Sequence, residues 1–535
     1  MGASTSSEPK ISAEQQEAEN VASSTGALPI LQKAFSKFAS SETNAIPLEN
    51  LQQCFGFGRE GRSYTTENAI DSFPVILDHL GSSLVDQFFI SDKGGINWFE
   101  FVKGYNKCCA RVSASILLNM LVRVFIDVTK RANLSVNLEF ESVDADCKVN
   151  GYFLPRHVLL LLSTCWVMTW DCGNLKKKGN VSVPDLSHLV LSAVTSCVED
   201  KGGFDVWDCD VSSLEVQIPV GKFITWVIGT VPCLPDCLRQ YVHARLQLAV
   251  IDGDELASSN SSSVGEISST TACHDILTQG RAWAISITQR SSINEEISRA
   301  FISSDTGMND NLIYRSSTHG RGLNRFWSHV EGYKGPLLIL VAASSGNDHE
   351  GNSAIKKWVL GALTNQGLEN KDIFYGTTGC LYSLSPVFHV FQPSGKEKNF
   401  VYSHLHPTGR AYQPHPKPVG IAFGGTPGNE RIFIDEDFSK VTIRHHAVDK
   451  TYQSGSLFPD QGFLPTEARI SEVEAWGLGG KAAKEVQKSY KKREDLFTEQ
   501  RRKVDLKTFG NWEDSPEKMM MDMVSDPNAV RREDR

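Results

Sequence analysis

The 535-residue sequence predicts an α+β, multidomain chain: an all-α N-terminal half, then an antiparallel β-sandwich flanked by helices, then a helical tail. Three observations carry this reading. From Leu28 to about Leu248, apolar residues recur at spacings of three and four, the period of a helix face. A polar, Ser/Thr-rich stretch over 253–275 then interrupts the pattern, as linkers do. Beyond it, short apolar runs alternate with Gly, Pro and Asn turns, the signature of strands. The implied boundaries are 1–27, 28–250, 251–276, 277–480 and 481–535.

Residues 1–27 are rich in Ser, Glu and Ala and read as a flexible leader. Met1-Gly2-Ala3-Ser4-Thr5-Ser6 fits the acceptor pattern for N-myristoylation at Gly2, with a hydroxyl at position six. One myristoyl chain binds membranes only marginally, so a second signal is needed. No cysteine precedes Cys54, and Lys10 is the only basic residue before Lys33. That leaves a membrane-resident protein partner. No run reaches the roughly 18 apolar residues of a spanning helix, and no secretory signal opens the chain. The expectation is an intracellular protein, peripheral on endomembranes. A formal net charge of −9 argues against a nucleic-acid partner.

Within the helical half, Ser113 is placed to cap a helix whose Ile116, Leu117, Met120, Leu121, Val124, Phe125 and Val128 form one stripe. Pro47 and Pro184 sit near helix starts. Several loops resemble EF-hand calcium loops. In the clearest, Gly94 supplies the sharp turn, Ile96 the short strand pairing, and Glu100 the position of the bidentate ligand. Counting back, however, Phe89, Ser91 and Lys93 occupy the first, third and fifth positions, where a hard cation needs oxygens. A second candidate, Gly179-Asn180-Val181 closing at Asp185, and a third around Asp146 and Gly151, are equally poor in ligands. The half therefore reads as an EF-hand-like scaffold without a metal.

After the linker, 282–288, 336–341, 381–384, 387–391, 420–425, 431–435 and 473–476 read as strands. Ser292 with Glu295 makes a capping box for one intervening helix, and Gly322 to Val330 forms another. Along this stretch come Tyr314, His319-Gly320, Phe326 and Glu331-Gly332-Tyr333-Lys334-Gly335-Pro336. Gly420-Ile-Ala-Phe423-Gly424-Gly425 leads to Ile434-Asp435, and Glu472-Val473-Glu474-Ala475-Trp476-Gly477 closes the series. In this order they resemble the TLDc domain over about 277–480, the final block being the most specific piece. With the Gly2 site, the EF-hand-like half and a helical tail, the chain is similar to the myristoylated, mTOR-associated TLDc proteins of the enhancer-of-Akt-null type. That resemblance implies binding rather than catalysis. The implied partners are subunits of the vacuolar-type proton ATPase (V-ATPase) and mTOR-type signalling components on the lysosome or vacuole, with an oxidative-stress role.

The residues themselves supply no enzyme signature. There is no Gly-x-Ser-x-Gly, His-Glu-x-x-His or Walker loop, and Gly424 to Gly428 reads as a hairpin turn. No cofactor is expected. His404 and His406 share a strand face, but no acidic residue or cysteine completes a metal site. The competing reading is a cysteine-dependent antioxidant or redox sensor, for which Cys380 is a candidate. The tail from Lys481 to Val504, with Val486 and Tyr490 spaced at four, is either a solvated helix or a partner contact. Its Lys491-Lys-Arg493 and Arg501-Arg-Lys503 also permit a nuclear alternative.

Overall fold

Ser12 opens the first helix, α1 (Ala13–Ser24), by accepting the Gln15 N–H at its hydroxyl. The segment expected to be a flexible leader is therefore helical over residues 13–24. Tertiary contacts that a polar composition does not reveal explain the difference. Trp98 Nε1 donates to Glu19 at 2.6 Å, Asn106 Nδ2 donates to the Ala18 carbonyl at 2.7 Å, and Ala22 is fully buried. The structure, a computed structural model, describes residues 12–57, 64–65, 70–91, 94–142, 147–174, 181–199, 204–251, 276–302, 311–345, 355–406 and 416–510, with 518 and 520. Gly2, Lys93, Asp146, Gly179 and residues 253–275 lie outside the described residues.

The helical half continues with α2 (Leu28–Phe38), α3 (Leu48–Phe55), α4 (Phe73–Phe88), α5 (Trp98–Cys109), α6 (Ala114–Arg131), α7 (Pro155–Gly173), α8 (Ser187–Cys197), α9 (Val220–Thr230) and α10 (Asp236–Val250). Ser113 caps α6 as its position predicts, accepting the Ile116 N–H at 3.3 Å. Helix α10 runs through the middle. Its Arg245 pairs with Asp171 of α7 at 2.8 Å, both side chains wholly buried, and its Tyr241 hydroxyl donates to the Phe55 carbonyl at the end of α3. Breaking such a pair on one side leaves a buried charge, so α10 is held in one register.

Two-residue strands join the helix pairs in the EF-hand manner. Strands β1 (Ile46–Pro47) and β3 (Gly95–Ile96) pair antiparallel, Ile46 opposite Ile96. Tyr64–Thr65 (β2) pairs parallel with Val181–Ser182 (β6). Next, β4 (Asn137–Phe140), β5 (Val149–Phe153) and β7 (Ile218–Pro219) form a small sheet in which Phe153 faces Ile218. The third predicted loop is thus corrected. Gly151 lies inside β5 at φ +109°, where a Cβ would sit 1.9 Å from the Asn137 carbonyl oxygen, so it serves close strand approach and turns no loop. The partner of the second pair is Ile218-Pro219, which repeats Ile46-Pro47 ahead of a helix; that dipeptide repeat was the available sequence signal.

The run Ala282–Thr288, read as a strand from its alternation, is instead helix α11 (Gln279–Ser286), capped by Thr278, which accepts the Arg281 N–H. Ala282, Trp283, Ala284 and Ile285 are all buried, so the residues on every side are enclosed and alternation carries no information. Trp283 meets Trp166 of α7 edge-on at 5.8 Å. Helix α12 (Ser292–Ile302) follows, capped by Ser291 rather than Ser292: its hydroxyl accepts the Asn294 N–H at 3.1 Å.

The sandwich is one antiparallel sheet of 11 strands that curls on itself. Its strands are β8 (Leu312–Arg315), β9 (Leu337–Ser345), β10 (Lys356–Thr364), β11 (Lys371–Tyr375), β12 (Gly379–Ser385), β13 (His389–Phe391), β14 (Val401–His404), β15 (Gly420–Thr426), β16 (Asn429–Asp435), β17 (Lys440–Ile443) and β18 (Thr466–Gly477). They run in the order β11-β14-β15-β16-β17-β18-β9-β10-β12-β13, with β8 also paired to β18. The curl brings the Arg431 guanidinium of β16 4.4 Å above the Phe391 ring of β13. Arg431 also binds Asp449 at 2.8 Å in a buried pair and donates to the Gln453 and Gly455 carbonyls, fixing the loop between β17 and β18.

Strand β9 is buried on both faces. Leu337, Ile339 and Val341 enter the core inside the curl, while Leu338 and Leu340 join the core of the helical half. Tyr382, Leu384, Phe388 and Trp476 pack on that second side too, and the Phe388 N–H donates to the His188 carbonyl of α8 at 3.0 Å. The helical half therefore covers one face of the sheet, although the sequence separates the two by a long polar stretch. Two short helices, α13 (Ser316–His319) and α14 (Leu323–Val330), follow β8, and α15 (Gly480–Gly510) leaves from the end of β18.

Candidate functional site

Strand β18 carries Glu472 and Glu474 at an interval of two, and each is committed to holding a different segment. Glu474 is fully buried. It accepts the Ile276 N–H at 3.0 Å, the Leu277 N–H at 3.2 Å and the Trp476 indole N–H at 2.9 Å, and it pairs with the Arg315 guanidinium at 2.9 Å. Burial raises its pKa above the ordinary carboxylate value, against the pull of those bonds. Glu472 accepts the Ser316 hydroxyl and, at 2.8 Å, the Ser317 N–H. Although burial opposes it, hydrogen bonding from Ser316 and Ser317 holds Glu472 below its ordinary value. Glu474 thus ties the chain emerging from the polar stretch to the sheet, and Glu472 ties down the start of α13.

The other motif residues predicted from sequence are structural supports around this strand. Tyr314 is buried against Phe326 and Phe438, and its hydroxyl donates to the Gly320 carbonyl at 2.7 Å. Phe423 lies inside the curl opposite Ile432 of β16. Gly424 and Gly425 hold positive φ of +68° and +87°; a Cβ on Gly425 would come within 2.2 Å of the Asn429 carbonyl oxygen, beside the hairpin in which Thr426 pairs with Asn429. Asp435 accepts the Ser439 and Lys440 N–H groups at 2.8 and 3.1 Å and closes the β16–β17 turn. Gly477 lies where a Cβ would meet Ile313 and the Tyr333 ring at 2.7 and 2.8 Å.

Gly332 connects the motif to the tail. It sits at φ +78°, and a Cβ there would lie 2.4 Å from the Tyr490 ring of α15. The Tyr490 hydroxyl donates to Glu331 at 2.9 Å, Gln487 Nε2 donates to the His329 carbonyl at 2.7 Å, and Lys491 Nζ donates to that same carbonyl at 3.3 Å. The tail therefore caps the carbonyl end of α14, whose last turn has no intrahelical donors left. Ala483 packs where Gly335 and Gly479 leave room. From Lys492 to Lys503 every residue is exposed, and Phe497 keeps 68% of its surface accessible. At 31 residues the helix is about 46 Å long, so most of it projects from the sheet.

In the EF-hand-like loop, Gly94 has φ +75° and Ile96 pairs as predicted. Glu100 accepts the Asn97 N–H at 2.9 Å while Asn97 accepts the Glu100 N–H at 2.9 Å, a capping box that commits the carboxylate to α5. Among the described residues no group of three His, Cys, Asp or Glu side chains is placed to hold a metal; the His404 and His406 rings stand 5.5 Å apart. Cys380 is buried, its Sγ donating to Gln392, and burial pushes its pKa up to about 11. Burial raises Cys172, Cys197 and Cys233 as well. Among the described residues no single helix is long and apolar enough to cross a membrane.

Comparison with known proteins now bears on this geometry. Residues 286–479 match the family described as the TLDc domain. The chain carries a TLDc domain. Its matched stretch begins at the end of α11 and ends two residues after Gly477, so it contains the whole curled sheet and both carboxylates. Ile276 and Leu277, which Glu474 anchors, precede it. The chain is also similar to the MTOR-associated protein MEAK7 of Danio rerio, 25% identical over 186 residues, covering 35% of this chain and 36% of that protein. The human MEAK7 is 24% identical over 182 residues, 34% of each chain. The matched stretch thus spans about a third of the length of these relatives.

Proposed function

We propose that the protein is a non-catalytic, membrane-anchored adaptor in which the TLDc domain and α15 together engage a large partner. The observation that carries this is α15 itself: a long helix rooted on the sheet by Gln487, Tyr490 and Lys491, with Lys492 to Lys503 exposed beyond them. A solvated terminal helix has no need of glycines cut to its side chains, whereas a rigid projecting arm does. The relatives' printed names, mTOR-associated, favour an mTOR-type signalling complex as one partner. The TLDc resemblance favours V-ATPase subunits as the other, on the lysosome or vacuole, with an oxidative-stress role following from pump control. Gly2 supplies the reversible membrane anchor. The burial that raises Cys380, Cys172 and Cys233 weighs against a thiol-based antioxidant, since the thiolate is the reactive form.

Pull-down from a lysosomal membrane fraction tests the reading. Full-length protein should capture V-ATPase subunits, and deletion of 481–535 should weaken capture by roughly 10²-fold or more, because two linked weak contacts gain from effective concentration. Gly2→Ala should shift the protein from the membrane pellet to the supernatant. Undiminished binding by the tail deletion removes α15 from the interface. Failure of the intact, folded chain to capture any pump subunit removes the V-ATPase.

A further inference from the structure

Where the helical half meets the sheet, a cleft of about 440 Å³ opens between the start of α8, the start of α11 and the end of β12. That volume falls within the range of small-molecule sites. Gly280 brings the two helix starts together. A Cβ there would lie 2.3 Å from the Asp185 carbonyl oxygen, so glycine lets α11 abut the chain just ahead of α8. The first turns of both helices therefore line the same cleft. Of their N–H groups, that of Ser187 donates to Asp185 at 2.9 Å and that of Arg281 to Thr278 at 3.3 Å. Those of His188 and Gly280 have no acceptor among the described residues.

Two side chains of the cleft are also short of partners. Arg281 donates to the Ile276 carbonyl at 2.6 Å but makes no ion pair among the described residues. Burial, outweighing the pull of Asp185 and Glu474, lowers its pKa. His188 is only 6% exposed and meets the Phe388 ring edge-on at 6.1 Å. Its Nε2 has no hydrogen-bond partner among the described residues, and burial pushes its pKa well below 6.5, so the ring is neutral. Beyond these groups the wall is apolar, formed by Leu191, Leu384 and Pro386.

We propose that this cleft binds a small carboxylate monoanion with an apolar body. Charge decides the class. Each helix N-terminus presents about half a positive charge, Arg281 adds one, and Asp185 at the rim removes one, leaving about +1. A carboxylate matches that sum, whereas a phosphate dianion exceeds it and meets Asp185. The carboxylate accepts from the Arg281 guanidinium and the two free N–H groups, and the body lies on Leu191, Leu384 and Pro386. Neutral His188 offers a hydrogen bond without changing the charge. The walls come from both sides of the seam, residues 184–191 from the helical half and residues 278–281 and 384–386 from the sheet and the segment leading into it. A bound ligand therefore fastens the two halves together, beside the Phe388 N–H bond to the His188 carbonyl at 3.0 Å. The site is independent of α15.

Calorimetric titration of the full chain with 4-phenylbutanoate at neutral pH tests this. Saturable one-to-one binding is expected, with the neutral 4-phenylbutanamide and inorganic phosphate both binding far more weakly. Amide hydrogen exchange should slow at 186–191 and 279–286 when the probe is bound and stay unchanged at β15 and β16. Arg281→Gln should weaken binding about 10- to 100-fold, the worth of a hydrogen bond to a charged group. Asp185→Asn keeps an oxygen for the Ser187 N–H, so α8 keeps its cap, and loss of the rim charge should tighten binding severalfold. That variant acts in the opposite direction, so its result stands even where Arg281→Gln fails to fold. Absence of saturable binding, an amide or phosphate bound as tightly as the carboxylate, protection that appears elsewhere, or an Asp185→Asn protein that binds no tighter than wild type would each overturn the proposal.

Discussion

Replacing Glu474 by leucine removes one acceptor and strands four donors. The Arg315 guanidinium, 8% exposed, loses its carboxylate, and the Ile276, Leu277 and Trp476 N–H groups lose their acceptors. Removing one partner of a buried ion pair costs about 3–5 kcal/mol. The orphaned N–H groups, at about 1–3 kcal/mol each, overlap with that cost because all face the same atoms, so we expect about 4–6 kcal/mol in total. For a cooperative unit of this size that is a fall in melting temperature of about 10–20 °C. Glu474→Gln behaves differently. Burial already disfavours the ionised form, so a neutral amide that keeps an oxygen for the N–H donors should cost only about 1–3 kcal/mol. Thermal melting of the full chain, with thermolysin, which cleaves before Ile and Leu, probing Ile276–Leu277, reads both variants. Leucine should also free Ile276–Leu277 and quicken cleavage there. A leucine variant melting within about 2 °C of wild type, or a glutamine variant as damaged as leucine, refutes the clamp.

Gly332→Ala forces a Cβ into the Tyr490 ring at a positive φ and should undock α15, raising proteolysis at Lys488 and Lys491 while costing the sheet only about 1–2 kcal/mol; unchanged proteolysis would separate the glycine from the tail. Glu472 is held below its ordinary 4.5, so its contribution is present above that pH and is lost as pH falls through the lower folded value. Glu472→Gln should therefore flatten the acid limb of the urea midpoint below about pH 4.5, while Glu474, shifted upward, works in the opposite direction. Glu100→Ala should cost about 1 kcal/mol as a lost helix cap, measured by urea denaturation, and micromolar calcium should give no heat with either protein.

Much of the architecture was legible in the residues. The cap at Ser113, the hairpin at Gly424 to Gly428 and the strands at 420–435 follow from local rules, because each is decided within a few residues of itself. The TLDc resemblance rested on the series from Tyr314 to Gly477, of which Glu474, Trp476 and Gly477 are buried positions where few substitutes fit. Errors came where enclosure erased periodicity. Ala282–Ile285 alternates like a strand yet is buried on every side, so nothing in its pattern separates strand from helix.

What the sequence by itself determined is therefore the order of elements and the family of the second half, since hydrophobic period and turn chemistry act at short range. Only the tertiary structure decided what the motif residues do. Whether Glu474 is an interaction surface or a clamp depends on Ile276 and Leu277, nearly 200 positions away in the chain. Whether Gly332 is a turn or a seat depends on Tyr490. The covering of the sheet by the helical half was equally hidden, because Leu338, Leu340 and Trp476 are apolar whichever surface they meet. Burial partners are set by the way the whole chain closes, and no local pattern encodes that.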